Sequence, residues 1–309
     1  MERILICGAN GMVGSNLVES APPQYELLTP DISELDLLDY NKTLEYLNSH
    51  NPDFIIHAAG IVGGIQANIA QPVKFLIENT DMGRNIVWAA HNAGIKRLLN
   101  LGSSCMYPRY AKNPLREELV LSGELEPTNE GYALAKIFTQ RLCSYINRQY
   151  PEFAYKTVIP CNLYGKYDKF EAEKSHMIPA AIRKIHEAKT ASIPTVEIWG
   201  DGSARREFMY AKDLATIIWR SVGDFDKMPE LMNLGIGKDY TIKEYYEAVK
   251  EVIEYSGSFV YDTSKPVGMQ QKLVDNSKQT EMGLLPRYSL TEGIRETYEY
   301  FLTLINTEQ

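Results

Sequence analysis

The stretch ERILICGANGMVGSNLVES (2–20) decides the fold. Its apolar run ILIC is continuous, the pattern of a strand buried on both faces. Glycines follow at positions 8, 11 and 14, and behind them comes a helix-like segment. A turn of this kind lets the backbone approach a pyrophosphate, and the helix behind it presents free N–H groups and its positive dipole end to phosphates. A glycine pattern by itself is weak evidence. Set between a strand and a helix, it predicts a dinucleotide turn made by Gly8, Asn10, Gly11, Met12, Val13 and Gly14.

Working outward, the alternation continues. YELLTP (25–30), DFIIHAAG (53–60) and KRLLNLGSS (96–104) read as strands, while TLEYLNSH (43–50) and MGRNIVWAAHNAG (82–94) read as helices. Strands alternating with helices predict βαβ units and a parallel sheet covered on both faces, an α/β, doubly wound Rossmann fold. After about residue 162 the rhythm changes. A charged, proline-bearing stretch (165–179) leads to a helix (180–189), an isolated strand TVEIWG (195–200) and a strand turning into a helix (206–222). The predicted layout is a dinucleotide-binding domain of 1–162 with about 208–236. A smaller α/β substrate domain of 163–207 and 237–309 is interlaced with it.

The 309 residues carry a net charge of −8, which argues against nonspecific nucleic-acid binding and against an anionic membrane surface. The start is a short apolar run stopped by glycines, unlike a secretory signal. FIIHAAGIVGGI (54–65) is too short to span a bilayer. The four cysteines, Cys7, Cys105, Cys143 and Cys161, lie far apart with no CxxC pair, which predicts a reducing compartment, no disulfide framework and no metal site. A cytoplasmic protein is the expectation.

NEGYALAKIF (129–138) places Tyr132 and Lys136 four apart, on one face of a helix. An ammonium beside a phenol stabilises the phenolate and makes the tyrosine a usable acid or base near neutrality. Ser103, at the end of a strand, would hydrogen-bond the substrate oxygen beside it. Asp31, after the second strand, would either bond a ribose 2′-hydroxyl, favouring NAD(H), or stand as a solvated loop residue. Its neighbours Asn10, Pro30 and Ile32 supply no cation for a 2′-phosphate.

The glycine turn, HAAG, Ser103 and Tyr132-x-x-x-Lys136 together resemble the extended short-chain dehydrogenase/reductase superfamily. HAAGIVGGIQAN (57–68), LGSSCMYP (101–108), LEPTNEGYALAK (125–136), NLYG (162–165), SHMIPA (175–180) and WGDGSARREFMY (199–210) are similar, over nearly the whole chain, to the GDP-L-fucose synthase family. That family includes GDP-colitose-forming and GDP-4-keto-heptose-reducing relatives. The resemblance implies reduction of a GDP-4-keto sugar with NADP(H), NAD(H) remaining open beside it, and epimerisation at C3 and C5. It implies that Cys105 and His176 exchange protons on the two faces of the sugar. Both side chains titrate near enough to neutrality for this.

The same resemblance assigns Ala58, Ala59, Gly60, Asn162, Leu163 and His176, with Tyr132 and Lys136, to the cofactor. It assigns Ser104, Cys105, Asn162, Lys184, Trp199 and Arg206 to the nucleotide sugar. Lys184 stands where an arginine is common, and a solvated basic face is its plain alternative. A homodimer is implied through helices beginning near residues 80 and 132. Cys7, Cys143 and Cys161 read as core, His57 as structural or near the cofactor, and His91 and His186 as helix-surface residues.

Overall fold

The computed structural model describes residues 1–171, 175–265 and 268–307. Six parallel strands form the main sheet: β1 (Glu2–Cys7), β2 (Tyr25–Leu28), β3 (Phe54–His57), β4 (Arg97–Leu101), β5 (Ala154–Pro160) and, from late in the chain, Leu231–Leu234, which is β10. Their order is β2-β1-β3-β4-β5-β10. The chain runs from β1 outward to β2, then crosses to β3 on the other side of β1. A crevice therefore opens at the carboxyl ends of β1 and β3, where doubly wound sheets bind ligands. Phe54, Ile55, Ile56 and His57 are all buried, which accounts for the unbroken apolar run that marks β3 in the sequence.

Helix α1 (Met12–Glu19) follows the glycine turn, and α2 (Tyr40–His50) connects β2 to β3. Helix α3 (Ile65–Ala70) is one short piece before α4 (Pro72–Asn92). Helix α4 starts earlier than the segment near residue 80 predicted from the sequence, because Pro72 sits at the first helical position, where its missing N–H costs nothing. Helix α5 (Glu130–Gln149) packs along α4. Their close approach depends on Gly83, since a Cβ there would lie 2.0 Å from the Thr139 hydroxyl.

The later half adds β6 (Asn162–Tyr164), α6 (Met177–Thr190), β7 (Thr195–Trp199), β8 (Arg205–Arg206), β9 (Phe208–Tyr210) and α7 (Ala211–Gly223). After β10 come β11 (Tyr240–Thr241), α8 (Ile242–Ile253), β12 (Ser258–Asp262), β13 (Gln271–Lys272), α9 (Ser277–Glu281) and α10 (Leu290–Thr307). Three small sheets result, with orders β11-β8-β13, β12-β7 and β6-β9. One apolar cluster joins Ile4, Ile56, Leu99 and Val158 of the main sheet to Leu214 and Ile218 of α7. A separate one joins Ile182 and Ile185 of α6 to Tyr245 and Val249 of α8 and Ile294 of α10. Among the described residues no helix is long and apolar enough to cross a membrane.

The turn after β1 is the tightest point of the fold. Gly8 has φ +82°, and a Cβ on it would meet the Ala59 Cα at 2.7 Å. A Cβ on Gly14 would lie 2.1 Å from the Gly8 carbonyl oxygen. Both neighbours are backbone and cannot swing aside. Gly14→Val is therefore expected to cost about 1–3 kcal/mol or more of stability and to abolish dinucleotide binding. Thermal unfolding together with NADPH fluorescence titration checks this.

Candidate active site

The site is built at the carboxyl edge of the main sheet. Gly11 caps α1 with extended backbone and no side-chain cap, and its N–H donates to Gly8 O at 3.0 Å. Among the described residues the N–H groups of Met12, Val13 and Gly14 meet no backbone acceptor, so the first turn of α1 offers donors to an anion. Across the crevice, the Ala58 N–H donates to Cys7 O at 3.0 Å, holding Ala58, Ala59 and Gly60 beside the turn. Asn79 of α4 grips the next residue from both sides. Its Oδ1 accepts from Ile61 N at 2.8 Å and its Nδ2 donates to Ile61 O at 3.1 Å. Backbone that cannot tolerate a Cβ, facing a helix start with free donors, fits a dinucleotide pyrophosphate.

Asp31 lies exposed beyond β2, and its Oδ1 turns back on its own loop. It accepts from Ser33 N at 2.7 Å and Ser33 Oγ at 2.6 Å. These bonds from Ser33 and Glu34 hold its carboxyl below the usual range. Asn10 is also exposed.

Where β4 ends, Gly102 leads into a short turn. A Cβ on Gly102 would touch the Met106 sulfur at 2.9 Å. Ser103 caps the turn, its Oγ accepting from Cys105 N at 3.2 Å, and Ser104 is buried behind it. Tyr132 and Lys136 come up from the first turns of α5. The Lys136 ammonium is buried, donates to Leu101 O at 3.0 Å and sits 5.8 Å from the Tyr132 ring centre.

Burial pushes the Lys136 amine down to about 8. Burial pushes the Tyr132 phenol up, the nearby Cys105 sulfur adds to the rise, and a hydrogen bond with Ser103 opposes it. Here the structure corrects the sequence argument. Burial raises the phenol where the neighbouring ammonium alone would lower it, so at neutral pH the phenol holds its proton.

Cys105 is partly exposed, and two donors converge on its sulfur. Asn129 Nδ2 lies 3.3 Å away and the Lys272 ammonium 3.6 Å away. Neither was singled out from the sequence. Asn129 sits just before α5, inside a motif that was quoted for Tyr132. Lys272 comes from β13, and no local pattern links it to Cys105. His176 occupies the N-cap position of α6, yet its ring makes no capping bond. Its imidazole is held below its ordinary value, first by burial and then by the ammonium groups of Lys169 and Lys272. Lys272 thus contacts the Cys105 sulfur and acts electrostatically on His176.

Arg206 pairs with Lys272 in the register of β8 and β13. Burial lowers its guanidinium, while Glu126 and Cys105 raise it. Asn162 spends its amide on Glu207 O at 2.9 Å, and Leu163 is partly buried beside it. Lys184 and Trp199 form a second group. The Lys184 ammonium stands 5.5 Å over the indole, Lys265 stands 5.7 Å over it, and the indole N–H donates to Glu197 Oε1 at 3.1 Å.

Cys7, Cys143 and Cys161 are buried, as read from the sequence. His57 is buried beside Lys136, with Nδ1 unpartnered and its imidazole pushed down to about 3 by burial. His91 and His186 are not free surface residues. His91 packs among Trp88, Tyr150 and Phe153, and His186 Nδ1 is 3.0 Å from the Tyr298 hydroxyl. Among the described residues no cluster suited to a metal ion occurs.

Known proteins are similar to this chain over most of its length. The model of the NAD dependent epimerase/dehydratase family matches residues 4–235. GDP-L-colitose synthase from Yersinia pseudotuberculosis is 56% identical, the alignment covering 99% of this chain and 100% of that protein. GDP-L-fucose synthase from Azorhizobium caulinodans is 46% identical over 98% of this chain and 97% of that protein. A GDP-mannoheptose C4 reductase from Campylobacter jejuni, solved with NADP bound, superposes with a TM-score of 0.86 at 32% identity, covering 97% of this chain and 98% of that one.

Two outcomes are expected from Lys136. The rate of reduction falls as pH rises through about 8, because loss of the proton removes the cation beside the phenol. Lys136→Met lowers kcat by about 10²–10⁴ and lowers the melting temperature, since the buried Leu101 carbonyl loses its donor. A pH–rate profile and a thermal scan measure both.

Proposed function

We propose that this chain, which belongs to the NAD dependent epimerase/dehydratase family, reduces the C4 keto group of a GDP-4-keto-(6-deoxy)hexose after inverting C3 and C5 of the same sugar. It is an NADP(H)-dependent oxidoreductase of the GDP-sugar class. The observation that carries the finer reading is the meeting of Ser103, Tyr132 and Cys105 at one strand end. Ser103 and Cys105 both lie close enough to act on the Tyr132 phenol, and Ser103 Oγ accepts from Cys105 N at 3.2 Å.

Bound NADPH supplies the hydride that C4 receives. Gly8, Asn10 to Gly14 and Ala58 to Gly60 hold the dinucleotide, with Asn162, Leu163 and His176 toward its nicotinamide end. Asp31 stands near its ribose. Tyr132 gives its proton to the C4 oxygen, Ser103 steadies that oxygen by a hydrogen bond, and the Lys136 cation stabilises the phenolate left behind. Before reduction, the hydrogens on C3 and C5 are acidic because each is alpha to the ketone. One member of the pair Cys105 and His176 takes the proton as the C–H electrons pass to the C4 oxygen. The other returns a proton to the opposite face.

Ser104, Cys105 and Asn162 line the sugar, and Arg206 bonds the diphosphate, as planar guanidinium geometry favours. Lys184 and Trp199 hold the nucleotide further out. In this reading residues 1–162 with about 208–236 carry the dinucleotide, and 163–207 with 237–309 carry the GDP sugar. The protein works in the cytoplasm as a homodimer. Exposed Val73, Ile77 and Trp88 of α4 and Leu134, Phe138 and Tyr145 of α5 support the pairing, because two adjacent helices present apolar side chains to solvent. Phe138→Glu is expected to shift the protein to monomer in light scattering.

A second reading is a C4 reductase that acts, after a separate epimerase, on a GDP-4-keto sugar of colitose or heptose type. The similarity to the Campylobacter C4 reductase favours it. Incubation with GDP-4-keto-6-deoxy-mannose and NADPH in deuterated water separates the two. The first reading expects NADPH oxidation with deuterium at C3 and C5, and loss of that deuterium in Cys105→Ser. Oxidation without deuterium selects the second. No oxidation on this sugar or on its deoxy and heptose analogues sinks both.

A further inference from the structure

The Lys272 residue is almost wholly buried, and among the described residues no carboxylate forms an ion pair with it. A buried ammonium without an anion is costly. The group that faces it, at 3.6 Å, is the sulfur of Cys105, and the Asn129 amide approaches the same sulfur at 3.3 Å. The position is enforced by the backbone. Lys272 lies in β13, where its carbonyl accepts from Glu207 N at 3.2 Å. Fully buried Glu207 in turn accepts from Val274 N at 2.9 Å and Gly237 N at 2.8 Å. A distant strand is thus bolted in place with one cation aimed at the turn that carries the thiol.

We propose that Lys272 is a positioning residue that stabilises the anionic state of the Cys105 sulfur during proton transfer to and from the sugar carbons. The inference rests on the reading of Cys105 as one of the two proton-transfer groups. Whichever way the proton moves, the S–H bond breaks or forms in the step and the sulfur is an anion on one side of it. An ammonium at contact distance favours that anion, and the Asn129 N–H adds a second donor. Arg206, the register neighbour of Lys272, also feels Cys105, but Lys272 is the cation that stands in contact with the sulfur.

The test uses iodoacetamide, which reacts with thiolate, on the full chain with NADP(H) at pH 7. Labelling is read at Cys105 by mass spectrometry, the other three thiols being buried. Lys272→Met is expected to slow labelling roughly tenfold or more, and Lys272→Arg, which keeps the charge, to restore most of the rate. Deuterium wash-in at C3 and C5, measured with NADP⁺, falls in the same order, with kcat moving more than KM. NADPH titration reports whether each variant is folded, and the arginine variant carries the test if the methionine one is not. Equal labelling in wild type and Lys272→Met, with a raised KM for the GDP sugar, overturns the proposal and makes Lys272 a substrate ligand. Slowed labelling with no wash-in even in wild type leaves the sulfur–ammonium link standing and removes the epimerase reading.

Discussion

The Lys136 ammonium donates to the carbonyl of Leu101, 3.0 Å away, at the point where β4 leaves the sheet. That bond fixes the first turns of α5 against the sheet edge and so decides where Tyr132 stands relative to Ser103. The contact is possible because α5 runs close along α4, through Gly83. Helix α4 also supplies Asn79, which clamps the loop after β3. A Cβ on Gly60 would come within 3.1 Å of Asn79 Oδ1 and 3.5 Å of Lys136 Nζ. The dinucleotide wall and the proton-transfer wall thus share one set of packed atoms.

The environment that holds Lys136 also sets its chemistry. Desolvation disfavours the charge on Lys136 and, separately, the charge on Tyr132, so the pair rests as a weakly held ammonium beside a protonated phenol. That resting state suits reduction, in which the C4 oxygen must gain a proton as it gains charge. His57, neutral and buried behind Lys136, adds no cation of its own at neutral pH.

The fold is legible in the sequence where one short stretch carries its whole signal. Buried parallel strands leave continuous apolar runs, and the glycine turn sits between two such elements. Ser103, Tyr132 and Lys136 are readable because each lies in a local motif whose spacing has a physical reason. Lys272 and Asn129 are not, since their meaning depends on tertiary contacts with Cys105 across 167 and 24 residues of chain. The Tyr132 shift escapes sequence reasoning for a related cause. Spacing reports the neighbouring cation but says nothing of desolvation, which only packing reveals. His91 and His186 lie partly exposed on their helices, and the aromatic rings packed against them are not legible in helical spacing.

In the proposed reading two different chemistries share one site because of the shape of the substrate class. C3 and C5 flank C4, so a sugar held with its C4 oxygen at Tyr132 already brings both acidic carbons to within two bonds of that oxygen. A thiol two residues from Ser103 needs no domain movement to reach them. The second proton-transfer group then has to come from the opposite side, the role proposed for His176 at the start of α6. Lys272, reaching in on β13, lies within electrostatic reach of both groups. Inversion of the sugar therefore calls on residues from both halves of the chain, whereas the serine, tyrosine and lysine assigned to reduction come from the main-sheet side alone.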